Sequence, residues 1–112
     1  MKKFLVLYKA STEAFQQMMK TSTPEQQKKG TEAWMAWSKK AASSIVDMGA
    51  PLGKSLRVTT AGATPTHNDL GGYSILQAES AESLADTLKS HPHFLTPEGS
   101  IAIVELLSMP GM

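Results

Sequence analysis

Apolar residues fill both alternating sets of the first segment. Phe4, Val6 and Tyr8 point one way and Leu5 and Leu7 the other, so residues 2–9 read as a strand that is apolar on both faces. The spacing then changes. Ala14, Phe15, Met18 and Met19 recur at helical intervals over residues 11–21, with Ser11 or Thr12 as N-cap. Thr23-Pro24-Glu25-Gln26 is a second helix start: a capping Thr, a Pro suited to the first turn, and a Gln that closes a capping box. The stripe Trp34, Trp37, Ala41, Ile45, Met48 predicts one long helix over residues 24–48, with Gly49 and Pro51 as its exit and Glu25–Lys29 as a favourable pair. Gly30 in that helix costs about 1 kcal/mol relative to Ala and marks a bend or a close packing contact.

Residues 54–60 predict a strand with Leu56 and Val58 on one face, and Ala61 to Gly71 a loop. That loop is long for a hairpin connection, so it is expected to be mobile and nicked first by proteases. Gly72 to Glu79 predicts a strand, with Tyr73, Ile75 and Gln77 on one side. Ser80 caps a helix that buries Ala81, Leu84, Ala85 and Leu88 and ends near Ser90, ahead of Pro92. Residues 92–99 form a loop, Ser100 to Ser108 the last strand, and residues 109–112 a tail.

The order is β-α-β-β-α-β with an extra short helix. It predicts an α+β, ferredoxin-like domain: a four-stranded antiparallel sheet, helices on one face, first and third strands central. Such a sheet leaves one face open, and an open face normally alternates polar-out. The first and last strands here are apolar on both sides, so something must cover the second face. The simplest cover is a second copy related by a two-fold axis, which predicts a homodimer.

Composition narrows the classes. With 112 residues and 12.0 kDa, the chain is expected to be one domain, residues 1–112. Zero Cys excludes a disulfide framework, a thiolate zinc site and a cysteine nucleophile. A net charge of +1 argues against a nucleic-acid partner bound through phosphates. The run Phe4 to Tyr8 is too short to span a membrane, and Lys9 cuts it short of a signal sequence, so a cytoplasmic protein is expected. No phosphate loop, nucleophile elbow or other cofactor motif is present, and no cofactor or metal is expected.

The candidate chemistry is sparse. His91, just before Pro92, reads either as a cationic cap on the free carbonyls of a helix end or as a general acid/base at a cleft mouth. His91-Pro92-His93, with His67 and Asp69, has only generic metal-ligand spacing, and solvated loop histidines are the plainer reading. Trp34 and Trp37 read as core or dimer packing, or as aromatic walls of a ligand site. Tyr8 and Tyr73 carry phenols able to orient a carbonyl or enol oxygen. Glu105 interrupts an apolar strand, as a rim residue or a site acid.

Gly71-Gly72-Tyr73-Ser74-Ile75-Leu76-Gln77-Ala78-Glu79-Ser80-Ala81-Glu82-Ser83-Leu84-Ala85, running on to His91-Pro92-His93-Phe94, resembles the YCII-related family. Ala33-Trp34-Met35-Ala36-Trp37 through Gly49-Ala50-Pro51-Leu52-Gly53 is similar to that family's long helix and exit turn. The Asp-Gly-Pro-Phe signature of one branch is absent, the loop here being Thr66-His67-Asn68-Asp69-Leu70-Gly71-Gly72. The helical His of members read as enzymes has no counterpart in Glu32 to Lys40. The resemblance implies a dimeric α+β barrel with a cleft between sheet and long helix. The residues read as ligand-binding are Trp34, Trp37, Tyr73, Tyr8 and Phe94, and the His-Pro match favours His91 as the catalytic group. The expected function is metal-free proton transfer on a small cyclic or aromatic metabolite. The alternative is a non-catalytic small-ligand-binding or accessory protein.

Overall fold

The computed structural model describes residues 1–96 and 98–108, with the side chains of Thr12, Phe15, Met19 and Leu95 outside that set. The expected tail at 109–112 also lies outside it. Among the described residues, six strands and three helices follow the order β1 (Lys2–Lys9), α1 (Thr12–Thr21), α2 (Pro24–Lys40), β2 (Ile45–Pro51), β3 (Ser55–Thr59), β4 (Gly62–Thr66), β5 (Leu70–Ala78), α3 (Ala81–Leu88), β6 (Ser100–Glu105). Short 3-10 turns at Ala42–Ser44 and Pro92–Leu95 complete the order. Four strands form one sheet, β2-β5-β1-β6, and β3-β4 is a separate two-stranded hairpin. The pairings within the large sheet are antiparallel. This is a ferredoxin-like α+β arrangement, with β1 and β5 central as the first and third strands of the plan.

The core follows from strand alternation. Phe4, Val6 and Tyr8 of β1 are buried and oppose Leu76, Ser74 and Gly72 of β5. Leu84 and Leu88 of α3, and Trp37 with Ala41 from α2 and its end, close over them. Each such apolar side chain contributes on the order of 1.5–3 kcal/mol by leaving water. The helices are started by their caps. In α2, Thr23 and Gln26 form the reciprocal capping box. In α3, Ser80 accepts from the Ser83 amide and the Ser83 hydroxyl accepts from the Ser80 amide.

Two expectations are corrected. The long helix ends at Lys40, not at 48, and residues 45–51 are the edge strand β2. Ile45 and Met48 sit four and seven residues beyond Ala41, which mimics a helical stripe, but Ile45 and Val46 are β-branched, which favours a strand, and Ile45 pairs with Leu76 of β5. Gly49 is therefore not a helix cap. It lies at φ +74 where β2 shifts register against β5, and the Asp47 carboxylate accepts from its amide at 2.8 Å. The expected Ala61–Gly71 loop is half strand. β4 pairs with β3 through a tight turn, and Pro65 is tolerated because this hairpin has only edge strands.

Gly30 makes no close contact. A Cβ there would meet nothing within 4 Å beyond its own helix. Gly30→Ala is thus expected to raise stability by about 0.5–1 kcal/mol, read as a higher urea midpoint with unchanged slope.

Candidate functional site

The site grows from the helix-facing side of β1. Tyr8 points under α2, and its register partner on β5 is Gly72, where a Cβ would lie in ordinary contact with the ring, 3.6 Å from Tyr8 Cδ2. The phenol donates to Ser74 Oγ at 2.9 Å, and Ser74 Oγ donates to the Met48 carbonyl at 2.7 Å. The carbonyl can only accept, so the proton order runs one way, from Tyr8 to Ser74 to Met48. This chain ties β1, β5 and the irregular part of β2 together. Burial raises the Tyr8 pKa, and the bond to Ser74 pulls it partly back, so the phenol stays protonated.

The second element is the 3-10 turn after α3. His91 is its N-cap and Pro92 its first residue. His91 Nδ1 accepts from the His93 amide at 2.9 Å, and His93 Nε2 lies 2.9 Å from the Lys9 carbonyl. His93 therefore holds a proton on Nε2. His91 is only 2% exposed and packs among rings. It stacks on Tyr8 at 4.8 Å, while Trp34 and Trp37 stand steeply inclined to it, each at 4.3 Å. Among the described residues its Nε2 finds no hydrogen-bond partner. Burial, and after it the charge of His93, lower its pKa to about 4. His91 is thus neutral near pH 7, not the cationic helix cap considered above. The α3 end is capped by Lys89 instead; the His91 amide donates to the Leu88 carbonyl, while its imidazole accepts from the His93 amide.

A cavity of ≈ 340 Å³ opens beside these groups. Tyr8, Trp34, His93 and Thr96 line it, together with Met48 to Pro51 of the edge strand, Gly71, Gly72 and Met18 of α1. Tyr73 borders it from β5, although its register with Leu7 sets it on the sheet's opposite face. A larger, open depression lies between α1 and α2, with Gln17, Gln26 and Lys29 among its walls.

The expected ligand residues thus divide. Tyr8, Trp34 and Tyr73 border the smaller cavity. Trp37 is buried in the core behind it, and Phe94 is 48% exposed and lines neither cavity. His91 stands behind the wall, in contact with Tyr8 and Trp34, and lines neither cavity. His93, read from sequence as a loop histidine, is buried and in the wall. Ser74 carried no signal, since its partners lie 66 and 26 residues away. Glu105 is exposed at the end of β6, 3.7 Å from Lys2. Asp69 pairs with Lys9 at 3.4 Å. Among the described residues, no group of three or more His, Asp or Glu side chains is placed to hold a metal ion, and no helix is long and apolar enough to cross a membrane.

No family profile and no curated protein matches the chain. One solved structure that it resembles is the 5-chloro-2-hydroxyhydroquinone dehydrochlorinase TftG from Burkholderia phenoliruptrix AC1100, in complex with 2,5-dihydroxybenzoquinone. The TM-score is 0.55 at 17% identity, covering 97% of this chain and 95% of that one. At that identity the likeness establishes a shared fold.

Proposed function

We propose that this chain binds a small planar, cyclic molecule in the ≈ 340 Å³ cavity and acts on it by metal-free proton transfer. The observation that carries the reading is one apolar cavity with both a histidine and a phenol in its wall. Its volume is at the lower end for ligand sites and suits a single substituted ring. Trp34 and Tyr8 offer aromatic surfaces to such a ring. His93, the one histidine that lines this cavity, is the group to exchange a proton with it. Tyr8, its own proton committed to Ser74, offers lone pairs and orients a ligand hydroxyl. His91 holds Tyr8 and Trp34 in place from behind. The fold shared with an enzyme whose structure holds a dihydroxybenzoquinone supports the choice of ligand class.

The same reading makes the protein a YCII-like homodimer in which each copy covers the other's open sheet face. That face carries Leu5, Leu7, Ile75 and Val104, aligned by register and left without a covering helix.

The test uses 2,5-dihydroxybenzoquinone and simple hydroxyquinols. Binding is expected to quench tryptophan fluorescence, and ring hydrogens of the bound quinol are expected to exchange with D2O, followed by NMR. His93→Gln should slow that exchange by about 10²–10⁴-fold, the usual contribution of a positioned acid or base. Quenching without exchange would assign the cavity to a non-catalytic binding protein. Neither effect would remove the reading.

A further inference from the structure

The β3-β4 hairpin has a consistent sidedness. Its register pairs Leu56 with Pro65 and Val58 with Ala63, so these four residues share one face. Ser55, Arg57, Thr59, Thr64 and Thr66 belong to the other face. This is the alternation of a strand pair with one buried side. Yet Leu56 is 65% and Val58 75% exposed, and no hairpin residue belongs to the core cluster. An isolated two-stranded hairpin is at best marginally stable in water, so an apolar face of this kind implies a surface to pack on.

The hairpin is anchored at its base. Ser55 Oγ donates to the Thr66 carbonyl at 3.0 Å, Asn68 Nδ2 donates to Ser55 Oγ at 2.7 Å, and the Leu52 amide donates to the Gly71 carbonyl at 3.0 Å. Both ends leave from the cavity rim, at Pro51 and Gly71. Beyond that anchor it adds extent without burial. The radius of gyration is 15.8 Å, against about 13 Å for a compact domain of this length.

The surface area indicates what covers the face. The chain exposes 8217 Å², whereas a compact monomer of 12.0 kDa exposes about 6,000 Å². The excess is about 2,000 Å². Obligate dimers bury about 2,000–5,000 Å² in total, or about 1,000–2,500 Å² per subunit. The excess on one chain therefore matches one side of such an interface. The chain also presents a second apolar strand surface, Leu5, Leu7, Ile75 and Val104, which a second copy would cover in the same assembly. A net charge of +1 sets up little repulsion between copies.

We propose that the hairpin is a dimer arm whose Leu56–Val58–Ala63–Pro65 face packs on a second copy of this chain. This rests on the homodimer reading above and adds to it a specific contact outside the sheet face. A two-fold axis would make the arm contact twice per dimer. Removing it is then expected to weaken association strongly while leaving each protomer folded.

The experiment compares wild type with Leu56→Lys/Val58→Lys by sedimentation equilibrium, with circular dichroism as the fold control. The expected result is a wild-type dimer and a variant with native circular dichroism that dissociates at least 100-fold more readily. The absence of cysteine allows a second readout. Val58→Cys carrying a maleimide-benzophenone should photocrosslink to a second protomer, and peptide mapping should place the link outside residues 55–66. A wild-type dimer with unchanged association in the lysine variant would overturn the arm and leave the sheet-face dimer standing. A wild-type monomer at micromolar concentration would overturn both. A variant that loses its native circular dichroism would place the hairpin in the monomer's own folding unit and refute the arm.

Discussion

Acidification from pH 7 to pH 4 is expected to remove about 3 kcal/mol of stability through His91 alone. The native pKa is about 4, below the 6.5 of an unfolded imidazole. Above 6.5 the ring is neutral in both states and contributes no pH dependence. Between 6.5 and 4 the unfolded chain takes up a proton that the native state refuses, so stability falls as pH falls. Below 4 both states are charged and the loss is complete. The groups packed against the ring are Tyr8, Trp34 and Trp37, with His93 adjacent, and none of the described ion pairs reaches His91. Among the described residues, no ion pair is formed with the His91 ring to offset a buried imidazolium.

His91→Asn separates this effect from packing. The Asn carboxamide oxygen can take over the N-cap bond from the His93 amide. It cannot fill the space between Tyr8 and the two indoles, so at pH 7 the variant is expected to be less stable by about 2–4 kcal/mol. On acidification it lacks the His91 loss. The urea-derived stabilities of wild type and variant should therefore converge toward pH 4, other carboxylate effects cancelling in the difference. Parallel curves from pH 7 to pH 4 would show that His91 titrates normally and is not buried as described.

Where local pattern and tertiary pairing agree, the sequence was legible. β1, β5, α1 and α3 follow from alternation, helical spacing and caps, and their placement in the sheet follows from connection rules. The helix overran because Ala41, Ile45 and Met48 keep helical spacing into a segment that becomes a strand only by pairing with β5. Pro65 hid the hairpin, since proline is excluded from central strands but tolerated at an edge. The site was half legible. Tyr8 and Trp34 were readable as aromatic residues within apolar patterns. His93 was not, because its burial depends on a carbonyl 84 residues away. His91 was recognised as a residue of interest, but its role depends on three rings from two other elements. No local signal distinguishes such an aromatic enclosure from a helix end.

Gly49→Ala is expected to cost 3 kcal/mol or more, on the order of the sum of a strained backbone and an overpacked contact. Two independent constraints meet at this residue. Its φ of +74 disfavours any side chain with a Cβ, and a Cβ built there lies 1.8 Å from the Tyr73 carbonyl oxygen and 2.6 Å from its carbon. Those atoms are backbone in a central strand, so relief requires β2 to move away from β5. That movement would also break the Ser74–Met48 bond and displace residues 48–51 from the cavity wall. Gly49→Asn distinguishes the two causes. Asn tolerates positive φ better than Ala, so if backbone strain alone mattered, Asn would recover much of the loss. The contact with Tyr73 predicts that it will not, because its Cβ occupies the same position. Urea denaturation should place both variants well below wild type and close to one another, with fluorescence quenching by 2,5-dihydroxybenzoquinone weakened in both. A Gly49→Ala protein with wild-type stability would mean that β2 does not approach β5 this closely, and that the sheet-edge wall of the cavity is built differently.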